Sequence, residues 1–131
     1  MDTSREILRG FIKVHILFHA SQEPVYGVGL MAELARHGYH LSPGTVYPIL
    51  HSMEVDKYLT SHGVVVGGRV RRYYRSTPLG QETLREAQAK IKELVAEVLE
   101  EVPSPEFREH EAPSSTNSGI LNPQPGETPD G

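Results

Sequence analysis

The chain has 131 residues, ten prolines, no cysteine and a formal net charge of −4 from 13 basic and 17 acidic groups. That length allows one ordinary domain with a tail and excludes a second full domain. The lack of cysteine excludes a disulfide framework, a thiolate nucleophile and a cysteine zinc site. No stretch approaches the roughly 20 apolar residues of a membrane-spanning helix. Met1-Asp2-Thr3-Ser4 lacks the basic-then-apolar run of a signal peptide, so a cytoplasmic location without a membrane partner is expected.

Residues 4 to 20 read as a helix that is apolar around most of its circumference, with Ile7, Leu8, Phe11, Ile12, Val14, Ile16, Leu17 and Phe18. Such a helix is buried on more than one side, and in so small a protein a second chain is the expected source of the extra cover. Pro24 interrupts the pattern. Tyr26-Gly27 leads into a short second helix whose inward stripe is read as Val28, Met31, Leu34 and Ala35, with Gly38 placed to end it. Ser42-Pro43 then marks a sharp helix start, an N-cap followed by proline at the first helical position. The third helix buries Val46, Ile49, Leu50 and Met53, and Pro48 is expected to distort its first turn.

A hairpin follows, Leu59 to Val66 and Arg69 to Thr77, joined by Gly67-Gly68 in a primed turn. Period-2 geometry sets Arg69, Arg71, Tyr73 and Arg75 on one face and Val70, Arg72, Tyr74 and Ser76 on the other. Thr77-Pro78 opens the last helix, where Leu84, Ala87, Ile91, Leu94 and Val98 follow the 3-4-3-4 rhythm of a coiled-coil seam. From Val102 onward six prolines and six Ser/Thr residues stand among few large apolar ones, so residues 102–131 are expected to be disordered. The expected organisation is a domain of three helices and a hairpin over 1–77, a long amphipathic dimerisation helix over 78–101 and the tail.

The charges follow this division. The tail holds one arginine against five acids, which accounts for the whole net −4. The segment 57–75 carries Lys57, Arg69, Arg71, Arg72 and Arg75 and no acid. Clustering of this kind suits a phosphate surface, because each neutralised phosphate releases counterions.

Three helices, a basic hairpin and a long final helix describe a mainly α fold with a small β-hairpin, a winged helix-turn-helix. In that arrangement the third helix enters the major groove of double-stranded DNA. The small residues Ser42, Gly44 and Thr45 permit close approach, with Tyr47 and His51 on the groove-facing side.

The run Leu41-Ser42-Pro43-Gly44-Thr45-Val46-Tyr47-Pro48-Ile49-Leu50-His51, followed by Met53-Glu54, resembles the recognition-helix signature of the PadR transcriptional regulators. Gly68-Arg69 to Tyr73-Tyr74-Arg75-Ser76-Thr77, then Gly80, resembles that family's wing, and the single C-terminal helix resembles its shorter subfamily. The resemblance implies a homodimeric repressor of a roughly palindromic operator, released by a small aromatic or hydrophobic effector near the dimer interface. Carried over by position, Ser42, Gly44, Thr45, Tyr47, His51, Arg69, Arg71, Arg72 and Tyr73 would face DNA. Ile7, Phe11, Leu84, Ile91, Leu94 and Val98 are expected to dimerise, and Phe11, His15, Phe18, Leu94 and Val98 to line an effector pocket. Ser52 stands where the family often has arginine, and Lys57 where a helix-ending glycine is common.

Parts of the sequence also fit other classes. A winged helix can serve as a protein-interaction module, its basic wing docking an acidic partner. His15 and His19, four apart on one helix, can chelate an ion, but the sequence shows no third ligand beside them, and neither a metal nor another cofactor is assigned. Gly27-Val28-Gly29 lacks the rest of a nucleotide fingerprint, and no nucleophile motif points to an enzyme.

Overall fold

The computed structural model describes residues 2–100. The segment 102–131, expected to be disordered, lies outside the described residues. Residues 2–90 form one compact unit, and those from Ile91 onward belong to a second.

Helix α1 spans Thr3–Gln22. Asp2 caps it: its carboxylate accepts the Ser4 amide at 3.0 Å and the Arg5 amide at 3.4 Å, satisfying donors that the first helical turn leaves free. The helix buries Ile12, Ile16, Leu17 and Ala20, while Ile7, Leu8, Phe11 and Phe18 stay exposed. Strand β1, Val25–Tyr26, is followed at once by α2, Gly27–Arg36. The inward stripe of α2 is Gly27, Leu30 and Leu34; Val28, expected inside, is 62% exposed. The correction has a steric cause. Gly27 is buried because the Tyr47 ring lies where its Cβ would be, and that close approach turns Val28 outward.

Gly38 ends α2 as expected, at φ +91°, with Gly38 N–H donating to Ala35 O and Tyr39 N–H to Leu34 O. Helix α3, Pro43–Val55, buries Val46, Ile49, Leu50 and Met53 and runs through Pro48 without a break. It closes with the same pair of bonds as α2, Lys57 N–H to Glu54 O and Tyr58 N–H to Met53 O, but with Lys57 at φ +73°.

Strands β2 (Leu59–Val66) and β3 (Arg69–Ser76) form the hairpin, with Gly67 and Gly68 both at positive φ. The register runs from Val66 opposite Arg69 to Leu59 opposite Ser76. β1 adds to the free edge of β3, pairing Val25 with Tyr74 and Tyr26 with Tyr73, so the sheet order is β1-β3-β2. Helix α4 spans Pro78–Val95, and Ala96–Glu100 form a π-helical turn. Thr77 caps α4 through Gly80 N–H, and its hydroxyl also donates to Lys57 O at 2.6 Å.

One core joins these elements. Leu30, Leu34, Val46, Ile49 and Leu50 of the helix-turn-helix pack with Ile16, Leu59, Tyr74 and Leu84. Each fully buried Leu or Ile contributes about 1.5–3 kcal/mol over leaving it exposed.

Candidate nucleic-acid interface

Burial of Tyr74 and Ser76 identifies the core side of the hairpin, so Arg69, Arg71, Tyr73 and Arg75 form its outer face. Tyr73 sits at the centre of that face, 5.4 Å from the Tyr26 ring and 6.0 Å from the stacked His62 ring. The Arg71 guanidinium lies 4.2 Å over the Tyr26 ring and donates to Tyr73 Oη at 3.4 Å. The Tyr73 hydrogen bond is the main reason that the Arg71 pKa rises further above its ordinary value. Arg71 is thus a held cation, while Arg69 and Arg75 are free to reach outward.

Arg72 belongs to the other side. Its Nη1 donates to Ser61 Oγ at 3.1 Å, and Ser61 Oγ donates to Glu54 Oε2 at 2.7 Å. This relay ties the wing to the last turn of α3 and places an acid beside the arginine that the resemblance carried over to DNA. Below it, burial first and Glu54 second push the Tyr74 phenol pKa up.

At the start of α3 the backbone of Ser42 caps as expected, its carbonyl accepting the Thr45 and Val46 amides. Its hydroxyl makes no capping bond and instead faces the Thr45 hydroxyl at 3.4 Å. Ser42, Gly44 and His51 are exposed, and Thr45 is half-buried. Tyr47 is 40% exposed, with its inner edge against Gly27. It therefore braces α3 on α2 while presenting the rest of its ring outward.

The residues expected to dimerise separate into two groups. Ile7 and Phe11 are exposed on α1, and Ile91, Leu94 and Val98 are exposed in the second unit. Leu84 is corrected: only 7% exposed, it lies in the core of its own chain and is not available to a partner. Of the expected effector-pocket residues, Phe18 is exposed like Phe11, but His15 turns to a different set of neighbours. Its ring stacks 4.8 Å from His37 and 6.3 Å from His19, with Tyr39 edge-on at 5.4 Å. Burial, then His37 and His19, hold the His15 pKa below the ordinary histidine value.

Tyr26 and His62 were missed in the sequence reading. The signal for His62 was present, since a two-residue turn at Gly67-Gly68 places it opposite Tyr73. No helix among the described residues is long and apolar enough to cross a membrane.

Comparison with known proteins agrees with this geometry. "Transcriptional regulator Rv3488" of Mycobacterium tuberculosis (strain ATCC 25618 / H37Rv) is 50% identical over 95 residues, which are 72% of this chain and 89% of that one. A PadR-like transcriptional regulator from Bacillus cereus is similar in structure, with a TM-score of 0.65 and 33% identity over 71% of this chain and 92% of its own. A PadR family regulator from Eggerthella lenta gives 0.63 and 32%, over 79% and 88%. The model of the transcriptional regulator PadR-like family matches residues 16–86, more than half the chain, and with the winged-helix geometry this shows that the protein belongs to the PadR-like family of transcriptional regulators.

Proposed function

We propose that the protein is a homodimeric repressor that binds a roughly palindromic operator. Helix α3 enters the major groove and the wing lies along the adjacent backbone or minor groove. The outer face of the wing carries this reading. It sets Arg69, Arg71 and Arg75 along one face of β3, with Arg71 held over Tyr26 and against Tyr73, and the three strands contain no acid. The exposed small residues at the start of α3 let its backbone approach a phosphate or base edge closely. Exposed Ile7, Leu8, Phe11 and Phe18 on α1, and Ile91, Leu94 and Val98 in the second unit, supply apolar surface of the kind a partner chain covers. The same phenylalanines suit a small aromatic or hydrophobic effector that releases DNA.

The test is fluorescence anisotropy on duplexes selected by the protein from random sequence, repeated across salt concentrations. With about six to eight phosphates neutralised per dimer, affinity should fall roughly 10³–10⁴-fold between 50 and 200 mM salt while preference for the selected duplex persists. Equal affinity for selected and random duplex would instead assign the fold to a protein-interaction module.

A further inference from the structure

Three imidazoles and a carboxylate converge where α1 meets the end of α2. His15 and His19 come from α1, His37 from the C-cap of α2, and Glu33 from the turn before it. One ring nitrogen from each histidine lies within 4.8 Å of the others. Glu33 Oε2 stands 3.9 Å from His19 Nε2 and 3.5 Å from His37 Nε2. Its other oxygen, Oε1, receives Arg36 Nη1 at 3.3 Å, which fixes the carboxylate with Oε2 turned toward the histidines. Neither the winged-helix reading nor the core uses this group.

We propose that His15, His19, His37 and Glu33 form a binding site for one divalent transition-metal ion of borderline softness, Zn²⁺, Ni²⁺ or Co²⁺. Three imidazoles with one carboxylate select these ions over Mg²⁺ and Ca²⁺, which take oxygen ligands. Four protein ligands match a closed tetrahedral set with metal–nitrogen bonds of about 2.0–2.1 Å, for which ligand atoms lie about 3.4 Å apart. The two Glu33–histidine separations are already near that value, and small side-chain rotations bring the nitrogens in. Arg36 on Glu33 and the Tyr39 ring against His15 hold two ligands from outside, as second-layer partners of metal sites do. An ion here cross-links α1 to the last turn of α2, immediately ahead of the Gly38 turn.

The test uses the full chain stripped with a chelator and needs no DNA. Zn²⁺ is titrated calorimetrically, and Co²⁺ by its visible absorption. One ion per chain is expected, with a rise in melting temperature. His15→Ala, His19→Ala and His37→Ala should each weaken binding at least about 100-fold, and His40→Ala should leave it unchanged. Where a variant loses its far-UV circular dichroism, Co²⁺ added to the wild type should shift or broaden the imidazole protons of His15, His19 and His37 but not those of His40, His51 or His62. No uptake of any of the three ions overturns the site. So does wild-type affinity in His37→Ala, or broadening centred on other histidines.

Discussion

Lys57 offers the sharpest quantitative check on the helix-turn-helix geometry. It is the non-glycine residue at positive φ among those described, +73°, and it sits in the turn that closes α3, where Lys57 N–H donates to Glu54 O at 3.0 Å and Tyr58 N–H to Met53 O at 2.9 Å. A left-handed conformation costs an L-residue roughly 1–2 kcal/mol. Glycine removes that cost but gives back roughly 0.5–1 kcal/mol, because its unfolded chain is freer. Lys57→Gly should therefore stabilise the protein by about 0.5–1 kcal/mol, or roughly 2–8 °C in melting temperature for a domain of this size. The substitution also deletes an ammonium group, so Lys57→Ala is the necessary comparison: it removes the charge and keeps the strain. The bond from the Thr77 hydroxyl goes to the Lys57 backbone carbonyl and survives in both variants. Thermal and urea melts followed by circular dichroism measure the difference. A glycine variant no more stable than the alanine variant would refute the assignment of strain to this turn.

The other predictions concern packing, assembly and DNA. Gly80→Ala drives a Cβ into the Tyr58 carbonyl oxygen and to 2.7 Å from Ser76 Oγ, and should cost roughly 1–3 kcal/mol in a urea melt; no loss would mean that α4 does not approach the turn so closely. Leu84→Ala should cost about 2–5 kcal/mol of folding stability. Leu94→Glu should instead halve the mass seen by sedimentation, and an unchanged dimer would exclude it from the interface. Arg71→Ala, one lost phosphate contact per chain, should flatten the slope of log K against log salt by about 1.8 per dimer across all sequences. Tyr47→Ala should mainly reduce the ratio of operator to random binding, and the reverse pattern would exchange the two roles.

Much of this fold was legible in the sequence, for reasons that differ between elements. Pro43 and Pro78 sit where a missing amide costs nothing, so the starts of α3 and α4 carried their own signal. The hairpin register followed from two glycines and strict alternation. The stripe of α2 is not legible, because a pattern of apolar side chains cannot register a buried glycine such as Gly27. Strand β1 has two residues, too few to show a period, and its pairing with Tyr73 and Tyr74 is a tertiary fact. That pairing brings Tyr26 under Arg71. Leu84 fits a seam by spacing, yet the core of its own chain claims it first. His37 stands 18 residues from His19, and only the packing of α1 on α2 brings it there.

The two-sided wing also sets a rule for how this protein can change length. Tyr74 and Ser76 anchor β3 in the core, while Arg69, Arg71 and Arg72 lie nearer its tip. One residue inserted between Arg72 and Tyr73 would exchange the sides of everything beyond it. Arg72 would turn outward, and Arg69 and Arg71 would turn toward Glu54. Two inserted residues would restore every side. Viable descendants should therefore differ in this strand by even numbers of residues, so the parity of an insertion, more than its size, decides whether the wing keeps its charge.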